Sequence, residues 1–170
     1  MKRITILSII ILSTIYFSSC FELQSIVDSI FETNIDKPIE IKSESMLPTF
    51  KIGDKIKVDR HYYENHIPQR GDIVVYIPPD NKEMLYIHRI IGLPGEMFMI
   101  KDGFLYINGQ KIIENYIKES MMIEFPETKI PDREYFIIGD NRNYSMGSNI
   151  FGFVPLENIK GKVFLLRESK

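Results

Sequence analysis

The feature that most constrains the fold is a series of short runs of β-branched and aromatic residues, each ended by glycine, proline or polar residues. Runs of this kind are typical of β-strands, and several in succession predict a sandwich or a barrel. The clearest turn is Asn108-Gly109, because both residues tolerate the positive φ angles of a two-residue hairpin. We therefore predict a mainly β domain, a β-barrel or sandwich, over residues 42–168. The predicted strands are 56–58, 72–77, 85–91, 104–107, 110–113, 135–138 and 161–166.

Composition excludes several classes of protein. The chain has 170 residues, which suits one domain with a sizeable core. Its net charge is −2 and its body has no dense run of Lys or Arg, so nucleic acid is not expected as a partner. The single cysteine, Cys20, excludes a disulfide framework within the chain and a cysteine-rich metal site.

The N-terminal segment, residues 1–22, is predicted to be a membrane anchor or a signal segment. A Lys-Arg pair precedes an apolar stretch that ends at Phe21, and its length is near the lower limit of about 17 residues for a spanning helix. An uncleaved anchor, a cleaved signal and a lipoprotein signal with acylated Cys20 all fit this pattern. Each places the body of the chain outside the cytoplasm, because the basic residues stay inside. Residues 23–41 are predicted to be a linker.

Two loops between the predicted strands, residues 43–49 and 139–148, are rich in side chains suited to catalysis. Loops held by a β scaffold are where catalytic groups are usually found. Ser43 and Ser45 flank one residue, so in an extended segment their hydroxyls lie on the same side. One hydroxyl could attack a substrate while the other donates to the developing oxyanion.

Such a serine needs a neighbouring base, and histidine is the side chain that most readily serves near neutral pH. His61 and His66 lie in a polar segment without an acidic ligand pattern, so they are predicted to be surface residues, and no metal site is predicted. His88 lies in an apolar predicted strand. The three histidines, and any lysine with a lowered pKa, are the candidate bases.

The order of these motifs along the chain is itself informative. The segment Ser43-Glu-Ser-Met-Leu-Pro-Thr49 is similar to the nucleophile box S-x-S-M-x-P-T of the signal peptidase I family, peptidase S26. Tyr86-Ile-His-Arg-Ile-Ile-Gly-Leu-Pro-Gly95 resembles the family's general-base box. Gly139-Asp-Asn-Arg142, followed by Ser145, resembles its last box. The resemblance runs in order over about residues 40–166.

The resemblance implies specific roles. Ser45 matches the attacking serine, and Ser43 matches the residue whose hydroxyl assists the oxyanion hole beside the backbone N–H of Ser45. Arg89 and Asp140 match a buried ion pair that braces the site. Ser145 matches a serine that helps to orient the base.

Three positions depart from the bacterial pattern. The usual lysine base is replaced by His88, as in the ER and archaeal branch of the superfamily. Histidine starts near a pKa of 6.5 and needs less burial than lysine, so His88 can work in a wetter site. Gly147 replaces the usual aspartate and Asn149 the arginine that pairs with it. Orientation of the imidazole would then fall to Asp140 or Ser145.

The predicted function is that of a membrane-bound serine endopeptidase, a signal peptidase I, that removes signal peptides from exported preproteins. It would form an acyl-enzyme through a Ser45–His88 dyad, without a metal or organic cofactor. Its expected place is the bacterial cytoplasmic membrane, with the catalytic domain on the outer side and in contact with lipid. Met46, Leu47 and Phe50 are expected to form the apolar strip that touches the bilayer.

A second interpretation belongs to another class of protein. The chain would be a catalytically degenerate, lipid-anchored homologue that binds peptides or acts as a scaffold. The changes at His88 and Gly147 motivate this alternative. It predicts that Ser45 and His88 are too far apart to share a hydrogen bond.

Overall fold

The computed structural model describes residues 38–81 and 84–166. This part of the chain consists of antiparallel β-sheets with short helical turns, so the prediction of a mainly β domain is confirmed. The predicted membrane or signal segment and most of the predicted linker lie outside the described residues. Within them, no helix is long and apolar enough to span a bilayer.

Strands account for most of the regular structure in the described residues. One short α-helix, α1 (Ser148–Phe151), follows the last predicted catalytic loop. The strands are β1 (Ile39–Glu40), β2 (Lys55–Asp59), β3 (Ile73–Tyr76), β4 (Tyr86–Gly92), β5 (Met97–Lys101), β6 (Phe104–Ile107), β7 (Gln110–Ile112), β8 (Phe125–Lys129), β9 (Glu134–Ile138), β10 (Val154–Pro155) and β11 (Ile159–Leu165).

The larger sheet has seven strands in the spatial order β1-β2-β11-β3-β4-β9-β10. Strand β11 lies between β2 and β3 and is antiparallel to both. The strands that flank the Ser43–Ser45 loop, β1 and β2, are therefore joined in the sheet to β3 and β4 only through β11.

The smaller sheet has four strands in the order β7-β6-β5-β8. Its β6–β7 hairpin turns at Asn108 and Gly109, with φ angles of 50° and 76°. Ile107 pairs with Gln110 across the turn, so the predicted two-residue hairpin is confirmed. Both turn residues have the positive φ that this connection requires.

Strand β9 separates two hydrophobic cores. Phe136 and Ile138 pack into the core shared with the smaller sheet, where the Phe98 and Phe136 rings stack 4.1 Å apart. Tyr135 and Ile137 point to the opposite face and pack against β3 and β4. Successive side chains of a strand alternate between its faces, so β9 is buried on both. Since β9 ends at Ile138, the loop that follows begins from a firmly packed strand.

Candidate active site

The predicted nucleophile loop connects β1 to β2. Ser43 Oγ and Ser45 Oγ lie 3.1 Å apart, within hydrogen-bond distance. Ser43 is exposed and Ser45 is half-buried, so both hydroxyls face the surface side of the loop. Two serines at this spacing can present one hydroxyl for attack and a second as a donor.

The residues after Ser45 are packed inward. Met46 and Phe50 are 1% and 3% exposed and belong to the core. The prediction that these two residues form an exposed apolar strip with Leu47 was therefore wrong for Met46 and Phe50, while Leu47 is half-buried. A backbone hydrogen bond from Phe50 N–H to Met46 O closes a helical turn, and this turn directs both side chains into the interior.

The loop 139–148 holds the nucleophile loop from the other side. The backbone N–H of Asn141 donates to Ser45 O at 3.0 Å, and Asn141 Nδ2 donates to Glu44 O at 3.1 Å. A Cβ added at Gly139 would lie 2.2 Å from Ser45 O and 2.6 Å from Ser145 Oγ. Only glycine permits this approach, so Gly139 lets the two loops meet and brings Ser145 beside the backbone of Ser45.

His88 lies on β4 and is 3% exposed. Ser145 Oγ is 3.3 Å from its Nε2, and Ser145 Oγ also accepts a hydrogen bond from Gly139 N–H at 2.8 Å. On the other side of the ring, the hydroxyl of Tyr76 is 2.9 Å from Nδ1. Both ring nitrogens therefore have a partner, and the imidazole is held between β3 and the loop 139–148.

Burial determines the ionisation of His88. Removal from water lowers the pKa of the imidazole from 6.5 to about 3, because the cation is disfavoured there. The ring is therefore neutral at physiological pH, as a base must be. Histidine can work in a wetter site, but here β3, β4 and the loop 139–148 enclose the ring.

The predicted ion pair between Arg89 and Asp140 is formed. Arg89 Nε and Nη2 donate to the two oxygens of Asp140, each at 2.7 Å, and Arg89 Nη1 donates to Gly71 O at 2.7 Å. Thr49 Oγ1 donates to Asp140 as well. These bonds join the nucleophile loop, β4 and the loop 139–148. They also occupy both oxygens of Asp140, which therefore braces the site and makes no hydrogen bond with His88.

A second buried ion pair was not anticipated from the sequence. Arg142 Nη1 and Nη2 donate to Glu114 at 2.8 and 2.6 Å, and both side chains are almost fully buried. Tyr116 donates to Glu114 at 2.5 Å, and its ring lies under Arg89, 4.1 Å from the guanidinium carbon. Arg142 Nε also donates to Gly139 O at 3.1 Å. The segment after β7 thus holds the loop 139–148 through the ion pair of Glu114 with Arg142.

The positions of the missing aspartate and arginine have a consistent local structure. A Cβ added at Gly147 would lie 2.6 Å from Ile137 O and 3.0 Å from Ile138 Cα. The loop is thus packed directly on the β9 backbone, and an aspartate does not fit there without movement. Asn149 Oδ1 accepts from Gly147 N–H at 2.9 Å, and Asn149 Nδ2 donates to Ser145 O at 3.5 Å. With glycine at position 147 and asparagine at position 149, the loop is closely packed.

The family model described as "Signal peptidase, peptidase S26" matches residues 7–166 of this chain, which include both loops and the strand of His88. The chain belongs to this family. Among the described residues, no group of three or more His, Cys, Asp or Glu side chains is placed to hold a metal ion.

Individual signal peptidases give the same assignment. The probable signal peptidase I-1 of Synechocystis is 39% identical over 134 residues, which are 75% of this chain and 68% of that protein. The probable signal peptidase I-2 of the same organism is 41% identical over 130 residues, which are 74% of this chain and 60% of that protein. These relatives support the prediction that the chain is a serine endopeptidase of the signal peptidase I type.

A solved structure of the family shares the fold. The crystal structure of a signal peptidase I from Enterococcus faecalis is 33% identical, with a TM-score of 0.52 over 60% of this chain and 98% of that chain. This chain spans between 60% and 68% of the length of the two Synechocystis signal peptidases.

The structure brings all six predicted site residues into one hydrogen-bonded arrangement around the loop 139–148. Ser45, Arg89, Asp140, Ser145 and His88 are linked to this loop or lie within it, and Ser43 is added through Ser45. No direct hydrogen bond joins Ser45 to His88 among the described residues. His61 and His66 are exposed and lie in the segment between β2 and β3, as predicted.

Proposed function

We propose that this protein is a membrane-bound signal peptidase that cleaves exported preproteins with Ser45 as nucleophile and His88 as general base. The observation that supports the proposal is the contact between the nucleophile loop, residues 43–49, and the loop 139–148. Asn141 fixes the carbonyl of Ser45, and Gly139 allows Ser145, the partner of His88, to lie beside the same backbone.

The reaction begins when Ser45 Oγ attacks the carbonyl carbon of the scissile peptide and its proton passes to Nε2 of His88. The oxyanion accepts hydrogen bonds from the Ser45 backbone N–H and from the hydroxyl of Ser43. Collapse breaks the C–N bond, and the proton from His88 goes to the leaving amine. Water then attacks the ester on Ser45, with His88 accepting its proton, and the free serine is restored.

In the substrate-free arrangement, Nε2 of His88 is bonded to Ser145 rather than to Ser45. Catalytic hydrogen bonds are often long or absent without substrate and tighten when it binds. Ser145 adjoins His88 and lies, with Ser45 O, beside Gly139, and we propose that Ser45 Oγ approaches the imidazole when substrate binds. The degenerate-homologue alternative is not favoured, because the relatives of the chain are named as signal peptidases.

The preprotein substrates and the outer membrane face follow from the family rather than from any contact of the structure. The N-terminal segment would anchor the chain, and the catalytic domain would stand outside the cytoplasm. Lipid contact is assigned to exposed apolar side chains on and after the loop 139–148, in place of the buried Met46 and Phe50. Those side chains are Tyr144, Met146 and Ile150.

The test is cleavage of a preprotein by the full chain reconstituted in lipid vesicles. The wild type is expected to release the mature protein, and Ser45→Ala and His88→Ala are expected to lower the rate at least about 10³-fold, as loss of a nucleophile or base does. His66→Ala, an exposed histidine in the same chain, is the matched control and should cleave normally. An inert wild type, or a His88→Ala variant that cleaves at the wild-type rate, contradicts the dyad.

The variant His88→Lys sharpens the test. Recovery of cleavage by lysine would show that the site accepts the base found in most bacterial members of the family. Loss of cleavage with lysine is the result we expect. The hydroxyls of Tyr76 and Ser145 each contact one nitrogen of the imidazole, and a lysine has one nitrogen for both of them.

A further inference from the structure

Tyr76 is a buried side chain that the reaction described above does not use. It ends β3 and is fully enclosed, with no exposed surface. Val74 pairs with His88 and Tyr76 pairs with Tyr86 in the β3–β4 register, so Tyr76 lies diagonally across from His88 on the same face. This register brings its hydroxyl 2.9 Å from Nδ1 of the imidazole.

The hydroxyl of Tyr76 has no other hydrogen-bonding partner among the described side chains. A buried phenol that is unpaired costs free energy, so the contact with Nδ1 is what makes a tyrosine acceptable in this otherwise apolar strand. The neighbouring Val74 and Val75 are aliphatic and equally buried. The hydroxyl of Tyr76 is therefore directed to a single atom, the nitrogen of the imidazole that faces away from the nucleophile loop.

Among the described residues, no carboxylate is hydrogen-bonded to that nitrogen. Asp140 is occupied by Arg89 and Thr49. A side chain at Gly147, where the family usually has an aspartate, would collide with the β9 backbone. In serine–histidine sites a third group normally fixes the ring through the nitrogen remote from the serine. Here, in the part of the chain that the structure describes, the side chain in that place is the phenol of Tyr76.

We propose that Tyr76 is the positioning residue for His88, taking the place that a carboxylate holds in other serine–histidine sites; this rests on the proposed function. Its hydroxyl holds Nδ1 so that Nε2 faces Ser145 and the nucleophile loop. Nε2 must be without hydrogen to accept the proton of Ser45, so Nδ1 carries the hydrogen of the neutral ring and donates it to the phenol oxygen. Tyr76 thus accepts the same hydrogen bond before and after His88 takes up a proton.

The proton transfer makes this bond stronger. When His88 is protonated by Ser45, both nitrogens carry hydrogen, Nε2 donates towards the nucleophile side and Nδ1 donates to the oxygen of Tyr76. A hydrogen bond to a charged group is about twice as strong as one between neutral groups. The contact therefore stabilises the protonated ring more than the neutral one, and its loss is expected to lower kcat more than it raises KM.

The test compares Tyr76→Phe with Tyr86→Phe in the full chain. The Tyr86 ring lies 5.6 Å from the ring of His88 and its hydroxyl makes no hydrogen bond to it, so Tyr86→Phe removes a hydroxyl from the same surroundings without touching Nδ1. Preprotein cleavage gives kcat and KM. The ¹⁵N spectrum of histidine-labelled protein in detergent gives the state of each ring nitrogen, with the His88 signals identified from a His88→Gln sample.

We expect Tyr76→Phe to lower kcat roughly 10- to 100-fold with KM within about threefold, as loss of a hydrogen bond to a charged group does. We also expect a changed Nδ1 signal and tautomer ratio for His88, with Tyr86→Phe like the wild type in both measurements. Unchanged His88 signals overturn the proposal, even if kcat falls, because the loss is then structural. An unchanged kcat in an active enzyme overturns it as well.

The failure of the proposed function is recognised separately. If the wild type cleaves no preprotein, or His88→Ala cleaves normally, the assignment of a protease dyad is wrong whatever the spectra show. In that case a changed Nδ1 signal in Tyr76→Phe still establishes that Tyr76 holds the ring, and an unchanged one excludes it.

Discussion

Two buried polar clusters meet at the loop 139–148, and they differ in charge. The charged cluster consists of the ion pairs Arg89–Asp140 and Arg142–Glu114. The histidine cluster consists of Tyr76, His88 and Ser145, which are all uncharged at neutral pH. Each charge in the first cluster has an opposite charge at hydrogen-bond distance. The histidine cluster contains an imidazole and two hydroxyls, and none of these groups is charged.

The difference separates two tasks. Paired charges with fixed geometry hold backbone segments together, and breaking one pair leaves a charge in the interior. For His88, the proposed base, burial is the cause of the lowered pKa. The site therefore combines ion pairs that fix the backbone with a proposed base whose pKa is lowered by burial.

Removal of Glu114 should have the largest effect on stability. Glu114→Ala leaves the buried guanidinium of Arg142 without its partner, and breaking such a pair typically costs about 3–5 kcal/mol. Urea denaturation of the full chain in detergent measures the free energy of unfolding. The exposed pair His61–Glu64 supplies the control, since Glu64→Ala should change it by less than about 0.5 kcal/mol.

Equal effects of Glu114→Ala and Glu64→Ala would contradict the idea that the charged cluster is a brace. The double variant Glu114→Met with Arg142→Met sharpens the result. It should be more stable than Glu114→Ala, because no unpaired charge remains in the interior.

Replacement of Gly147, in the loop 139–148, should have the next largest effect on stability. Gly147→Ala is expected to lose about 1–3 kcal/mol of unfolding free energy, because its Cβ meets the backbone of Ile137 and Ile138. Gly147→Asp should lose more, because a carboxylate is also buried without a partner. Chemical denaturation of both variants beside the wild type separates the steric part from the charge. A Gly147→Asp protein as stable as the wild type would show that the loop can open to admit the family's usual residue.

The pH dependence of stability tests the uncharged state of His88. Its folded pKa of about 3 lies below the unfolded value of 6.5, so the unfolded chain binds the proton first as the pH falls. The contribution is fully present above pH 6.5 and is lost progressively between pH 6.5 and about pH 3. From pH 7 to pH 5 the loss should be about 2 kcal/mol. Denaturation of the wild type and of His88→Gln at pH 7 and pH 5 isolates the contribution of His88 to stability. Identical pH profiles of the two proteins would contradict this prediction.

The smallest effect is expected at Asn149. Asn149→Ala removes its bonds to Gly147 N–H and to Ser145 O and should cost about 0.5–1.5 kcal/mol. Asn149→Asp should retain more stability, because its carboxylate can still accept from Gly147 N–H. Thermal unfolding of the two variants ranks them, and an Asn149→Asp protein less stable than Asn149→Ala would contradict a stabilising role of the bond from Gly147 N–H.

Strands with β-branched runs could be predicted from the sequence, whereas β5 and β8 could not. Residues 124–129 have a polar composition that predicts a solvated face. In the structure β8 is nonetheless a strand, with Lys129 paired to Met97 and Thr128 to Phe98. Its side chains are mostly exposed, so main-chain hydrogen bonds define it and its sequence shows little of the usual pattern.

The site residues in the two loops could be predicted because they lie in short, contiguous motifs. Tyr76 and Glu114 could not. Tyr76 reads as one more core residue of an apolar strand, and only the β3–β4 register shows that it faces His88. Glu114 and Arg142 are 28 positions apart and meet through the packing of the segment after β7 against the loop 139–148. A polar atom in an otherwise apolar run was the one local signal available at Tyr76.

The placement of β11 has a consequence for the timing of activity during synthesis. The strands beside Ser45 emerge from the ribosome early, and so do those that carry His88. Their shared sheet is nevertheless complete only when β11 enters between β2 and β3. We expect a nascent chain that lacks Ile159–Leu165 to leave β2 and β3 unpaired on these edges, so the proposed nucleophile and base are not yet held by one sheet. We therefore expect the catalytic domain to become active only after almost all of its residues have been synthesised.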